Sequence, residues 1–89
     1  MPTIHLLIKG KVQGVFYRAS AKKVAVQLGI TGWARNTSEG HVEIMASGPD
    51  EQLRNFIDWC KKGPSEARVD TVITKPGVNQ HFEEFVIVR

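Results

Sequence analysis

Residues 10–18 are the part of this 89-residue chain whose types and spacing best suit chemistry. They run from an alternating apolar segment into a helical pattern, and they include two glycines, Gly10 and Gly14. Glycines relax the φ restriction, and the first amides of a helix have no acceptor inside it, so such a loop can turn several N–H groups toward an anion. Arg18 adds a planar, permanently charged fork that suits phosphate oxygens. The segment therefore predicts a phosphate-binding site.

Charge is unevenly divided along the chain. Residues 1–38 contain six basic side chains and no acidic one, whereas residues 39–89 contain six basic and all nine acidic side chains. The net charge of +3 is thus +6 in the first part and −3 in the second. An anion that approaches the glycine loop would meet a positive field, which raises encounter rates. Nucleic acid is the other anion that a basic domain can attract.

Length and composition limit the class of protein. Eighty-nine residues predict a single domain over 1–89, and 42% hydrophobic with 24% charged residues is ordinary globular composition. No apolar run approaches the ~18 residues that cross a bilayer, and the apolar segment 3–8 is too short for a signal peptide. The single cysteine, Cys60, cannot form an intrachain disulfide, which fits a reducing compartment. We expect a cytoplasmic protein without a membrane partner.

Hydrophobic periodicity places the first elements. Alternation predicts a strand over residues 3–9, and apolar residues at i, i+3, i+4 and i+7 predict a helix over residues 18–28. Two further strands, over residues 30–35 and 41–46, are joined by the polar turn 36–40, which is typical of a hairpin. The glycine loop therefore leads from the first strand into the first helix.

The second half of the chain adds a helix and two strands. A second helix has Pro49 at a first helical position and ends at Gly63. Strands over residues 68–75 and 82–88 lie on either side of the Pro76-Gly77 turn. The order of elements predicts an α+β, ferredoxin-like two-layer sandwich, βαββαβ with an additional C-terminal strand. In that fold two helices pack on one face of an antiparallel sheet.

Two segments resemble the signatures of the acylphosphatase family. The first reads Gly10-x-Val12-Gln13-Gly14-Val15-x-Tyr17-Arg18, and the second reads Gly32-Trp33-Ala34-Arg35-Asn36-x-x-x-Gly40-x-Val42, followed by Gly48. Both lie at the expected places in the strand–helix order, and the resemblance covers nearly the whole chain. Tyr17 departs from the family pattern, which more often has Phe there, and this departure could alter the rim of the site.

The resemblance implies hydrolysis of a small acyl phosphate to a carboxylate and inorganic phosphate, without a metal or an organic cofactor. The catalytic arginine of the family falls on Arg18, and its catalytic asparagine falls on Asn36. The family's phosphate-binding loop falls on Val12, Gln13, Gly14, Val15, Phe16, Tyr17 and Arg18.

The chemistry of these residues is compatible with that reaction. Phosphoryl transfer needs a positioned nucleophile and stabilisation of charge on the equatorial oxygens. The Asn36 amide could orient a water for in-line attack, although Asn cannot act as a general base at neutral pH. The proton of the water would then pass to the substrate phosphate, as the resemblance also implies. An acyl phosphate carries a good leaving group, so no strong protein acid is required.

Several other residues have a structural interpretation. His5, His41 and His81 show no metal-ligand spacing, so we expect them on the sheet surface and expect no zinc site. Trp33 either packs against the core or lines the mouth of the acyl pocket. Cys60 lies on the apolar stripe of the second helix and is expected to be buried and inert.

Three alternative functions fit the same element order. RNA-recognition modules share it, but their stacking aromatics lie on a central strand, whereas Phe16 and Tyr17 lie in a loop. An accessory domain that binds phosphate or carbamoyl phosphate, and a small-molecule-sensing domain, are the others. Because the sequence shows no further domain, we expect a free-standing enzyme that does not bind nucleic acid. The sequence shows no obvious exposed apolar seam, so we expect this enzyme to be a monomer.

Overall fold

Two helices and five strands follow one another along residues 2–88, the part of the chain that this computed structural model describes. The elements are β1 (Thr3–Lys11), α1 (Tyr17–Gln27), β2 (Thr31–Asn36), β3 (Val42–Ser47), α2 (Asp50–Lys62), β4 (Arg68–Pro76) and β5 (Phe85–Val88). Met1 and Arg89, the ends of the predicted 1–89 domain, lie outside the described residues. The predicted ferredoxin-like α+β fold class is confirmed by this order and by the sheet described next.

All five strands belong to one sheet in the order β4-β1-β3-β2-β5. The pairs β1–β3, β1–β4 and β2–β3 are antiparallel, but β5 runs parallel to β2. The sheet is therefore mixed, whereas the sequence predicted an antiparallel sheet. Residues 77–84 carry the chain from the β4 edge to the opposite edge, where it enters β5 in the direction of β2. The strands on either side of the Pro76-Gly77 turn are therefore not neighbours, and the last one begins at Phe85 instead of residue 82.

One face of the sheet and one stripe of each helix form the core. The alternating apolar residues of β3, Val42, Ile44 and Ala46, are fully buried. The helices contribute their small and apolar stripes to the same core, namely Ala21 and Ala25 from α1 and Leu53, Phe56 and Cys60 from α2. Within residues 2–88, no helix has the length and apolar character needed to cross a membrane.

The start of α2 differs by one residue from its prediction. Pro49 has an extended ψ of 147° and lies at the N-cap, so the helix begins at Asp50. The Pro49 carbonyl accepts the first helical bond, from Leu53 N at 2.9 Å. Asp50 and Glu51 lie in the first turn and Lys61 and Lys62 in the last, an arrangement that complements the helix dipole.

Gly10 determines where β1 leaves the sheet. The β1–β4 register shifts between Lys9 and Gly10, and Gly10 has a φ of +135°. A Cβ at this position would collide with the carbonyl oxygen of Arg68 in β4. Only glycine allows this close approach of the two strands, and the chain then turns into the loop that precedes α1.

Candidate active site

Residues 12–16 connect β1 to α1 and are held from the core side. Val12 and Val15 are buried, as is Tyr17 at the start of the helix. Gly14 and Phe16 between them are exposed, and both have left-handed backbone conformations, with φ of 73° and 60°. The loop is therefore anchored by its apolar side chains, while its other side faces solvent.

The backbone amides of this loop are not used by the fold. The first amide near the start of α1 with an acceptor is that of Ser20, which donates to Phe16 O at 3.0 Å. Within residues 2–88, no acceptor is found for the amides of residues 13–19. These amides also lie at the positive end of the helix dipole. They can therefore supply several fixed donors to an anion.

Arg18 and Asn36, predicted from two separate motifs, line the same pocket. This pocket has a volume of about 320 Å³. Its other lining residues are Val12, Gly14, Phe16, Tyr17, Ala19 and Ile87. Among the lining residues in the described part of the chain, Arg18 alone carries a charge. The pocket therefore combines one guanidinium, one amide side chain and the open loop.

The Arg18 side chain is directed by the last strand. Its Nη1 donates to the carbonyl oxygen of Val88 in β5 at 3.3 Å. The β5 strand pairs with β2, and β2 ends at Asn36. This bond uses part of the guanidinium fork and leaves further N–H groups for an anion.

Asn36 is exposed at the end of β2, just before a closed turn. Thr37 N donates to His41 O at 2.9 Å, Gly40 N donates to Thr37 O at 3.2 Å, and His41 N donates to Thr37 Oγ1 at 3.2 Å. These bonds fix the backbone on the far side of Asn36. Its Cα is paired with Val42 in β3, so the residue is fixed on both sides.

Gln13 joins the loop to this turn. Its Nε2 donates to the carbonyl oxygen of Thr37 at 2.9 Å and to that of His41 at 2.9 Å. The Gln13 side chain therefore braces the loop against the hairpin turn that follows Asn36.

Tyr17 does not alter the pocket rim with its hydroxyl. The residue is 1% exposed, and its hydroxyl donates to the carbonyl oxygen of Cys60 in α2 at 2.7 Å. Its ring lies 5.4 Å from that of Trp59, centroid to centroid. Burial raises the pKa of the Tyr17 phenol, and Cys60 adds to the effect. Tyr17 thus anchors the start of α1 to α2. Burial also raises the pKa of the Cys60 thiol to about 12, which keeps this thiol unreactive.

Trp33 and two histidines lie outside the pocket. Trp33 has the Arg35 guanidinium carbon 5.3 Å from its ring centroid and does not line the pocket, so it does not form the acyl-pocket mouth. His5 contacts Glu43, whereas His81 lies in segment 77–84 rather than on a strand. No group of three or more His, Cys, Asp or Glu side chains that could hold a metal ion is found between residues 2 and 88.

Sequence reasoning missed the contribution of β5. Ile87 lines the pocket, and the Val88 carbonyl accepts from Arg18. The sequence predicted a strand over residues 82–88. It did not indicate that this strand lies beside β2, where the Val88 carbonyl contacts Arg18.

Known proteins resemble this chain over nearly its full length. A family model described as Acylphosphatase matches residues 4–87. The acylphosphatase of Methylococcus capsulatus is 43% identical over 90 residues, which cover 100% of this chain and 98% of that protein. The acylphosphatase of Legionella pneumophila strain Corby is 57% identical over 79 residues, covering 89% and 84%. The crystal structure of acylphosphatase from Bacillus subtilis superimposes with a TM-score of 0.96 at 29% identity and covers both chains completely.

These similarities agree with the two sequence signatures and with the fold. The family model covers more than nine-tenths of the chain, and the relatives match in length as well as in sequence. The interpretation of the chain as an acylphosphatase, an enzyme of the acid-anhydride hydrolase class, is thereby confirmed. The chain belongs to the acylphosphatase family.

Proposed function

We propose that this chain hydrolyses the carboxyl–phosphate anhydride bond of small acyl phosphates, with Arg18 and Asn36 as its catalytic residues. The observation that carries the proposal is their shared pocket beside the open amides of residues 13–19. The two residues come from different motifs and different elements.

Phosphate binding falls to the loop and to Arg18. The amides of residues 13–19 are fixed donors, and a preorganised set of donors stabilises charge that develops on the equatorial oxygens. The Arg18 guanidinium can bind two of these oxygens at once. The absence of a carboxylate among the described lining residues keeps this field unopposed.

Asn36 acts on the nucleophile. Its side-chain amide orients a water in line with the bond to be broken. The water oxygen forms a bond to phosphorus, the bond from phosphorus to the acyl oxygen breaks, and its electron pair leaves with the carboxylate. The proton of the water passes to a phosphate oxygen, because Asn36 cannot accept it.

We further propose that residues 1–89 act as one acylphosphatase-like domain, a cytoplasmic monomer that does not bind nucleic acid. The open face of the sheet argues against RNA binding, since Glu43 lies at its centre and accepts from His5 and Arg35. Arg35 also covers Trp33, so this ring is not a free stacking platform.

The test is release of inorganic phosphate from benzoyl phosphate in the presence of a chelator. Wild-type protein should hydrolyse it, and Asn36→Ala should lower kcat by about 10²-fold, the usual effect of losing one preorganised donor. Competitive inhibition by inorganic phosphate should persist in that variant. Asn55→Ala, an exposed amide on α2, is the matched control and should behave as wild type.

Two outcomes would contradict parts of the proposal. Near wild-type turnover of Asn36→Ala would exclude the water-positioning role. No hydrolysis by wild-type protein with a native circular dichroism spectrum would leave an accessory phosphate-binding domain as the better interpretation.

A further inference from the structure

Phe16 combines two unfavourable features in one residue. Its backbone is left-handed, with φ 60° and ψ 24°, and it is the only non-glycine residue with a positive φ within residues 2–88. A bulky side chain rarely adopts this conformation, which stores strain. Its side chain is also 78% exposed, so the ring gains almost nothing from burial in the fold.

The position of Phe16 relates these features to the pocket. Phe16 lines the pocket together with Arg18 and Asn36. Val12 and Tyr17 also line it, but each is 1% exposed and offers little surface to a ligand. The large apolar surface that remains accessible comes from Phe16, with half-buried Ile87 beside it in the lining.

The pocket therefore has a polar part and an apolar part. Arg18, Asn36 and the open amides suit the phosphate and the attacking water, but none of them would interact favourably with an apolar acyl group. An exposed ring next to them gains contact area only when a ligand covers it. Aromatic groups add a geometric preference, because two rings attract each other in offset-stacked or edge-to-face arrangements.

We propose that Phe16 is the specificity-determining residue for the acyl group and that it favours acyl phosphates with an aromatic acyl group. The inference rests on the proposed function. Phe16 binds the acyl part of the substrate while the loop amides and Arg18 bind its phosphate. Acyl phosphates with a small acyl group, such as acetyl phosphate, leave the ring exposed and gain nothing from it.

The test compares kcat/KM for benzoyl, cyclohexanecarbonyl and acetyl phosphate. Phe16→Gly and Phe16→Asn remove the ring but keep residues that tolerate a left-handed backbone, so the loop retains its shape. In both variants the ratio of kcat/KM for benzoyl over acetyl phosphate should fall by at least ~10-fold, the usual scale of one apolar pocket contact. Differences in intrinsic reactivity between substrates cancel, because each ratio is compared with that of wild type.

Two further variants sharpen the comparison. Phe16→Leu should lose preference for benzoyl over cyclohexanecarbonyl phosphate while it keeps preference for the latter over acetyl phosphate. Val78→Ala removes apolar surface from a side chain that is 76% exposed and that does not line the pocket. It should leave every ratio unchanged.

The outcomes separate this inference from the proposed function. An equal loss on all three substrates in Phe16→Gly and Phe16→Asn would show that Phe16 only shapes the loop, and would overturn the inference. An unchanged benzoyl-to-acetyl ratio would overturn it as well and would assign the exposed ring to another contact. Folded wild-type protein that hydrolyses none of the three substrates would overturn the proposed function itself, together with the acyl-recognition role.

Discussion

The side-chain amide of Gln13 donates to the carbonyl oxygen of Thr37 at 2.9 Å and so joins the loop before α1 to the residue after Asn36. The same nitrogen donates to the carbonyl oxygen of His41. This oxygen also accepts from Thr37 N and so closes the turn. The two halves of the site come from parts of the chain separated by a whole helix. One loop side chain therefore holds the open amides of the loop at a fixed position relative to the Asn36 side chain.

Replacing Gln13 should separate these two halves. Gln13→Ala removes both hydrogen bonds, so Asn36 loses its fixed position relative to the loop. We expect kcat for benzoyl phosphate to fall by about 10-fold, which corresponds to ~1.4 kcal/mol, while the inhibition constant for inorganic phosphate changes little. Gln13→Glu should be worse, because a carboxylate would face two carbonyl oxygens. Gln52→Ala, on the surface of α2, is the control. A rise in the inhibition constant as large as the loss of kcat would show that Gln13 shapes the loop alone.

Replacing Arg18 should affect phosphate binding first. A hydrogen bond to a charged group contributes roughly 1.5–3 kcal/mol, so Arg18→Ala should raise the inhibition constant for inorganic phosphate by about 10- to 10²-fold. Arg18→Lys should be intermediate, since it keeps the charge and loses the planar fork. Stability should change little, because the bond to Val88 is 3.3 Å long and exposed.

The matched control for Arg18 is Lys22→Ala, which removes an exposed positive charge from the same helix. Lys22→Ala should lower the encounter rate slightly at low ionic strength and leave phosphate affinity nearly unchanged at physiological salt. Equal weakening by both variants would mean that the general field binds phosphate rather than the guanidinium of Arg18.

Local signals were sufficient for most of the fold. The spacing of Ala21 and Ala25 marks the buried stripe of α1, and alternation through Val42, Ile44 and Ala46 marks β3. That Arg18 and Asn36 line one pocket agrees with the two motifs from which they were predicted, and each residue lies in a contiguous motif. Both positions can be identified from the sequence without tertiary information. One is a loop between a strand and a helix, and the other is the end of a hairpin strand.

The parts that depend on strand order were not predictable. The strand β5 joins the sheet across segment 77–84, and nothing in its residues indicates which edge it takes. The sequence therefore could not predict that Ile87 lines the pocket or that the Val88 carbonyl accepts a hydrogen bond from Arg18. The hydrogen bonds of Gln13 could not be predicted for the same reason, since its acceptors at residues 37 and 41 are brought near only by the folded hairpin.

Glu43 is the centre of a polar network on the open face of the sheet. Its carboxylate accepts from His5 Nε2 at 2.6 Å and from Arg35 Nε at 2.6 Å. The hydrogen bond from His5, with a further contribution from Arg35, lowers the pKa of Glu43 below its usual value of 4.5. A carboxyl group whose folded pKa is depressed stabilises the fold above its unfolded pKa, and this stability is lost as the pH falls through the folded pKa.

Removing this carboxylate should therefore make the free energy of unfolding depend less on pH in the acid range. We expect Glu43→Gln to lower the free energy of unfolding by about 1 kcal/mol at pH 7, a modest value because Arg35 is half exposed and water screens its share. The difference from wild type should shrink as the pH falls below about 4, in urea denaturation measured from pH 7 to pH 2.5. Glu83→Gln is the control. The Glu83 side chain contacts His81 but is 87% exposed, so its effect should be small at every pH. A difference between Glu43→Gln and wild type that stays constant through the acid range would show that the network stabilises the sheet by packing and not by the charge of Glu43.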